Sequence, residues 1–184
     1  LLRNEQGKYA LFDVGPKYGA KRLIRTLKRK GVRRLDWVAI SHLHPDHYGG
    51  LLELMDEIPI TKILHHGRLI EPKKKWRKLS EGLRDTKERK TSMITWTEVK
   101  THIGNLNISL LKPQTDVIHR WGGIKLRWIQ PSLSTQLSEN DVSLCVLVEG
   151  ENERVLLSGD LEKDGESLLR RYWFKEGLDQ KPLT

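Results

Sequence analysis

Apolar residues fall into two textures along the chain. Up to about residue 65, short solid apolar runs alternate with stretches in which apolar residues recur every three or four positions. From residue 95 onward, short alternating runs are separated by Gly and Asn turns. In the first part, Leu1-Leu2-Arg3 and residues 8–12 flank the turn residues Asn4 and Gly7, a hairpin pattern whose second strand ends at Asp13. Residues 17–30 set Leu23, Ile24 and Leu27 on one face and basic residues elsewhere, predicting a helix capped by Gly31. Residues 35–41 predict a strand covered on both faces, because Trp37-Val38-Ala39-Ile40 is unbroken by polar positions. A helix over 48–57 with Leu51, Leu52 and Met55 inward follows, then a strand over 60–65 after Pro59. Strand, helix, strand, helix, strand is an α/β layout. Beyond it the pattern predicts strands at 95–99, 106–111, 125–129, 143–149 and 154–158, with a tight turn at Glu151-Asn152. A helix over 161–173 carries Leu161, Leu168, Leu169 and Trp173.

The 184 residues suit one domain, 1–184, with a real core. Apolar content is 37% and charged content 31%, and the periodic segments argue against general disorder. A net charge of +9 marks a surface that attracts polyanions, nucleic acid ahead of anionic membrane; the bland alternative is solubility alone. The charge concentrates in a basic insertion at about 68–100. There Lys73, Lys74, Lys75, Arg77 and Lys78 surround Trp76, and ten Lys and Arg between residues 68 and 90 face four acids. Such a segment suits phosphate contact with Trp76 stacking on bases, although most charge runs are simply solvated faces. Cys145 is the only cysteine, so no intrachain disulfide forms, and its apolar strand suits a buried thiol. No stretch approaches the roughly 18 apolar residues of a membrane span. No signal peptide opens the chain; it begins in mid-hairpin, as if cut from a longer protein.

The densest chemistry lies at Ile40-Ser41-His42-Leu43-His44-Pro45-Asp46-His47. His42 and His44 are i, i+2 neighbours at a strand end, so their rings can point the same way. Pro45 keeps His44 out of helical geometry, and Asp46 and His47 begin the next helix. One turn thus offers two imidazoles to one metal, and a carboxylate with a third imidazole to its neighbour. Zinc, iron and manganese all accept these ligands. The bland reading is a histidine-rich surface loop with weak metal affinity. Two strand ends complete the pattern: Leu11-Phe12-Asp13-Val14-Gly15 and Leu156-Leu157-Ser158-Gly159-Asp160.

His-x-His-x-Asp-His after a strand and before Gly-Gly, with Asp-x-Gly upstream and Gly-Asp downstream, resembles the metallo-β-lactamase superfamily of hydrolases. Asn140-Asp141-Val142-Ser143-Leu144 with the Leu-Leu-Ser-Gly-Asp strand is similar to the hydrolase domain of bacterial DNA-uptake (competence) channel proteins, over about residues 8–65 and 125–172. The resemblance implies an αβ/βα four-layer sandwich, here cut short at both ends. It assigns His42 and His44 to a first metal, Asp46 and His47 to a second, and Asp160 to a place between them. Asp46 and Asp160 are then the catalytic carboxylates and Asp13 a structural one. One or two zinc or manganese ions would serve as cofactor; a pair sits about 3.5–4 Å apart and lowers the pKa of a shared water to about 7.

Two ligands of the family pattern are absent. Ser138-Glu139-Asn140-Asp141 stands where the first site's third histidine belongs, and the Asn140 amide oxygen is a candidate substitute that suits a harder ion such as manganese. The late His-His-Gly-Ser motif of competence-type domains is not reached before Thr184. His65-His66-Gly67 precedes Asp160 in the chain, so it reads either as a surface or partly buried pair or as a strand-end pair approaching the site. The expected function is a metal-dependent phosphodiesterase acting on DNA during uptake. DNA and the remainder of a membrane channel protein would be its partners, at the extracytoplasmic face of a bacterial envelope. The alternatives are a hydrolase of small esters, lactams or thioesters, a cytoplasmic location, or a DNA-binding domain that has lost catalysis.

Overall fold

Strand β3 (Trp37–Ile40) is buried on both faces, and the alternation of its side chains separates two cores. In the computed structural model, which describes residues 1–67, 96–115, 117–132, 134, 136–180 and 182–183, Val38 and Ile40 face the first core. Trp37 and Ala39 face the second. The first sheet has the order β1 (Leu2–Arg3), β2 (Tyr9–Phe12), β3, β4 (Lys62–His65), β5 (Ser109–Leu111). Strands β2 to β5 are parallel, and β1 pairs antiparallel with β2 as the hairpin pattern requires.

Four helices cover the outer face of this sheet. Helix α1 (Ala20–Arg29) buries Ala20, Ile24 and Leu27, and ends where Gly31 takes φ +77°, the left-handed turn that glycine makes without penalty. Helix α2 (Pro45–Tyr48) carries part of the histidine loop, and α3 (Leu51–Glu57) buries Leu51, Leu54 and Met55. Helix α4 (Trp96–Asn105) occupies ground where the β-branched run predicted a strand at 95–99. Trp96, Val99 and Ile103 recur at helical spacing and are all buried, so the packing period overrides the local preference of Thr and Val.

The second sheet is an antiparallel meander of β6 (Ile118–Trp121), β7 (Ile124–Ile129), β8 (Cys145–Glu149) and β9 (Arg154–Leu157). Its inner face packs Trp121, Leu126, Trp128, Val146 and Val148 against the first sheet. Trp37 meets Trp121 and Trp128 edge-on, with ring centroids 5.5 and 5.4 Å apart, pairings that each add about 0.5–1.5 kcal/mol beyond burial. On the outer face Ile129, Cys145 and Leu147 pack under α5 (Lys163–Lys175) through Leu169. The layers run helix, sheet, sheet, helix. The basic residues Lys73, Lys74, Lys75, Arg77 and Lys78, with Trp76, lie outside the described residues, while the last part of the predicted insertion forms α4. Among the described residues no helix is long and apolar enough to cross a membrane.

Candidate metal centre

Loops from both sheets converge at one end of the sandwich. Asp13 follows β2, residues 41–47 follow β3, His65 and His66 lie at the end of β4, residues 139–143 lead into β8, and Asp160 follows β9. Asp13 adopts φ +55°, an uncommon backbone that Asp tolerates better than most residues. From there its Oδ1 accepts the Ser41 N–H at 2.8 Å, and its Oδ2 accepts the Ser41 hydroxyl at 2.7 Å. The same Oδ2 lies 2.8 Å from His47 Nδ1. Because Ser41 gives its one hydrogen to Asp13, its Oγ, 3.0 Å from His42 Nδ1, acts there as acceptor. The His42 proton is thereby placed on Nδ1 and the lone pair on Nε2. In the same way the Asp13 bond to His47 Nδ1 turns Nε2 toward Asp160, whose Oδ2 is 3.2 Å away.

Ligand atoms of His42, His47 and Asp160 all lie within 4.8 Å of one another. His44 joins through Nδ1, 3.0 Å from His42 Nε2, a separation that two nitrogens on one ion at about 2.0–2.1 Å can span. Asp46 stands at the rim, its Oδ2 3.8 Å from His47 Nε2 and its side chain 67% exposed. All five predicted ligands therefore meet at one end of the fold, with His42, His47 and Asp160 as the tightest group.

Burial, then the neighbouring His47 and His44, depress His42 to about 3. His44 is lowered too, chiefly by burial, with Glu139 and Asp46 opposing. Both rings are neutral at pH 7, the form a metal needs. For His47 burial pulls downward, but the hydrogen bond and charge of Asp13, with Asp160 and Asp46, outweigh it and raise the ring to about 8. The carboxylates thus favour a cation beside His47. Neutral imidazoles next to a carboxylate-rich pole are a donor set that fits a divalent transition ion. Asn140 agrees: its amide nitrogen donates to Glu162 at 2.8 Å, while its buried Oδ1 has no hydrogen-bond partner among the described residues.

Sequence reasoning passed over three residues here. Ser41 and Ser143 (Oγ 3.3 Å from His42 Nδ1) frame the first imidazole. Glu139 Oε1 accepts the Leu43 N–H, between the two first histidines, at 3.1 Å, and lies 3.1 Å from His66 Nε2. His66 is fully buried and His65 nearly so; the surface reading of that pair is overturned, because β4 carries them inward beside Glu139 and Trp96. A serine or glutamate with no motif of its own gives no such signal. Only the position of Glu139, where a third histidine was expected, marked it in advance.

Residues 1–181 match the family model of the metallo-beta-lactamase superfamily. Over 174 residues the chain is 25% identical to competence protein ComA of Neisseria gonorrhoeae, which covers 94% of this chain and 20% of that protein. Among solved structures, Rm3 metallo-beta-lactamase aligns with a TM-score of 0.51 at 14% identity, over 94% of this chain and 65% of its own. BJP-1, a subclass B3 metallo-beta-lactamase of Bradyrhizobium japonicum, aligns with a TM-score of 0.48 at 13% identity, over 90% and 62%. The chain thus spans a fifth of the competence protein's length and under two thirds of these lactamases. A match running nearly end to end, on two facing sheets with helices outside, shows that the chain belongs to the metallo-beta-lactamase superfamily.

Proposed function

We propose that the chain is a metal-dependent phosphodiesterase that hydrolyses DNA, working as part of a DNA-uptake channel protein at the extracytoplasmic face of a bacterial envelope. The observation that carries this reading is the convergence of His42, His44, Asp46, His47 and Asp160 in a chain similar over 94% of its length to a competence protein. The net charge of +9 supports a polyanionic substrate.

His42 and His44 would hold a first zinc or manganese ion, His47 and Asp46 a second, with the Asp160 carboxylate between them. Bound there, such ions supply Lewis acidity at a phosphoryl oxygen and lower the pKa of water. Asp46, exposed at the rim, would orient the attacking water, take its proton as the new P–O bond forms, and return it to the sugar oxygen released as the other P–O bond breaks. Asp13 and Ser41 keep the His42 and His47 rings in register for this work. Lys73, Lys74, Lys75, Arg77 and Lys78 would contact phosphates of the substrate.

The test is DNA hydrolysis by the chain supplied with zinc or manganese, against Asp160→Asn. That substitution keeps shape and removes the charge shared between the ions. Activity in the wild type, lost by roughly 100-fold or more in the variant, is expected if Asp160 stabilises the metal pair, since about 2.7 kcal/mol of barrier corresponds to that factor. Equal rates in both across the two metals would sink the nuclease reading in favour of a DNA binder. Cleavage of small esters without cleavage of DNA would move the substrate class. DNA affinity across a salt titration extends the same experiment. Neutralising the five basic residues should flatten the slope by about 0.7–0.9 per lost phosphate contact, and an unchanged slope would return that segment to a solvated face.

A further inference from the structure

Between the edge strands β5 and β6 the seam of the two sheets opens into a cavity of about 340 Å³. It is not the metal centre. Trp37, at the start of β3, lines it, and the five residues from there to His42 correspond to roughly 16 Å of strand. Its apolar wall includes Trp37, Trp121 and Trp128, and Lys62, Lys112 and Arg120 contribute three cations. No carboxylate lines it, and among the described residues no ion pair engages any of the three cations. The Trp121 N–H is occupied by Asp36 Oδ2 at 2.9 Å.

The indole wall favours an occupant with a flat, apolar body. Three uncompensated cations favour an anionic group at the other end of that occupant. Its size falls at the lower end of the roughly 300–1,000 Å³ usual for small-molecule sites. An anionic phosphate and a flat ring occur together in a nucleotide. We infer that this cavity binds a nucleotide, with its phosphate on Lys62, Lys112 and Arg120 and its base against the indole wall. The occupant is either a free mononucleotide or one unit of a single strand. The site does not depend on hydrolysis at the metal centre.

The test is therefore run in EDTA, with deoxyadenosine 5′-monophosphate and a short single-stranded oligodeoxyadenylate as probes, by calorimetry and tryptophan fluorescence. Saturable binding is expected, weakened about tenfold or more by Lys62→Ala with Arg120→Ala, the equivalent of losing about 1.4 kcal/mol. Both side chains reach the surface, so the double variant should keep the wild-type circular dichroism. An oligonucleotide that binds much more tightly than the monomer identifies a strand as the occupant; equal affinities identify the free nucleotide. Absence of saturable binding, unchanged affinity in the double variant, or inorganic phosphate binding as tightly as the nucleotide would overturn the site.

Discussion

Asp13 shows how one side chain can set a centre it does not enter. Its left-handed backbone costs on the order of 1–3 kcal/mol, offset by the hydrogen bonds its carboxylate makes with Ser41 and His47. Those bonds fix two imidazole orientations at once. Cys145 is the opposite case, a reactive residue type made inert by its surroundings. Burial in the core under α5 pushes its thiol from 9.0 up to about 12. The thiolate that would react is therefore scarce at neutral pH. Expected is no measurable modification by a disulfide reagent at pH 8 in the native protein, and full reaction of this single thiol after unfolding. The linkage follows the same sign: a folded-state value raised above the unfolded one gives stability that is complete below about pH 9 and lost as pH rises toward 12. Denaturant unfolding at increasing pH measures that loss, and rapid native-state modification at pH 8 would show that the thiol is not buried.

At the scale of elements, the turn after β9 decides whether Asp160 reaches the histidines. Gly159 takes φ +60°, and a Cβ there would lie 2.7 Å from Ser41 Cβ and 3.0 Å from Ser143 Oγ. Gly159→Ala thus combines about 1–2 kcal/mol of left-handed strain with displacement of the two serines that frame His42. Gly104→Ala in α4, where a Cβ meets nothing within 4 Å, should be neutral or stabilising by up to about 1 kcal/mol. Denaturant midpoints and metal titration of the two variants should diverge; equal stabilities would show that the turn is not closely packed on the serines. The same turn was legible in the chain because Leu-Leu-Ser-Gly-Asp is a local word, as is His-x-His-x-Asp-His. The strands β2, β3, β4, β7, β8 and β9 were legible for a similar reason, each being an apolar run bounded by turn residues. Strand β6 was not, since Ile118-His119-Arg120-Trp121 is half polar, buries only Trp121 and owes its state to pairing with β7. Helix α4 was misread because Thr and Val outvoted a period visible only when Ile103 is included. The contact between His66 and Glu139 joins residues far apart in sequence, and nothing local announces it.

The whole molecule gathers its chemistry at one end because parallel strands deliver their following loops to the same edge, the arrangement by which open α/β sheets build sites. The meander contributes Asp160 and residues 139–143 from the other sheet, so the centre forms only when the two sheets pack face to face. The large separation in sequence between His42 and Asp160 makes metal binding a readout of the entire fold. Metal content per chain, measured together with circular dichroism, is the most direct test of that centre. The wild type should retain one or two zinc or manganese ions. The Asp46→Ala, His47→Ala double variant should keep its spectrum and lose much of that metal. Undiminished metal in a folded double variant would contradict the assignment of the ions to the His42–His47 loop and Asp160.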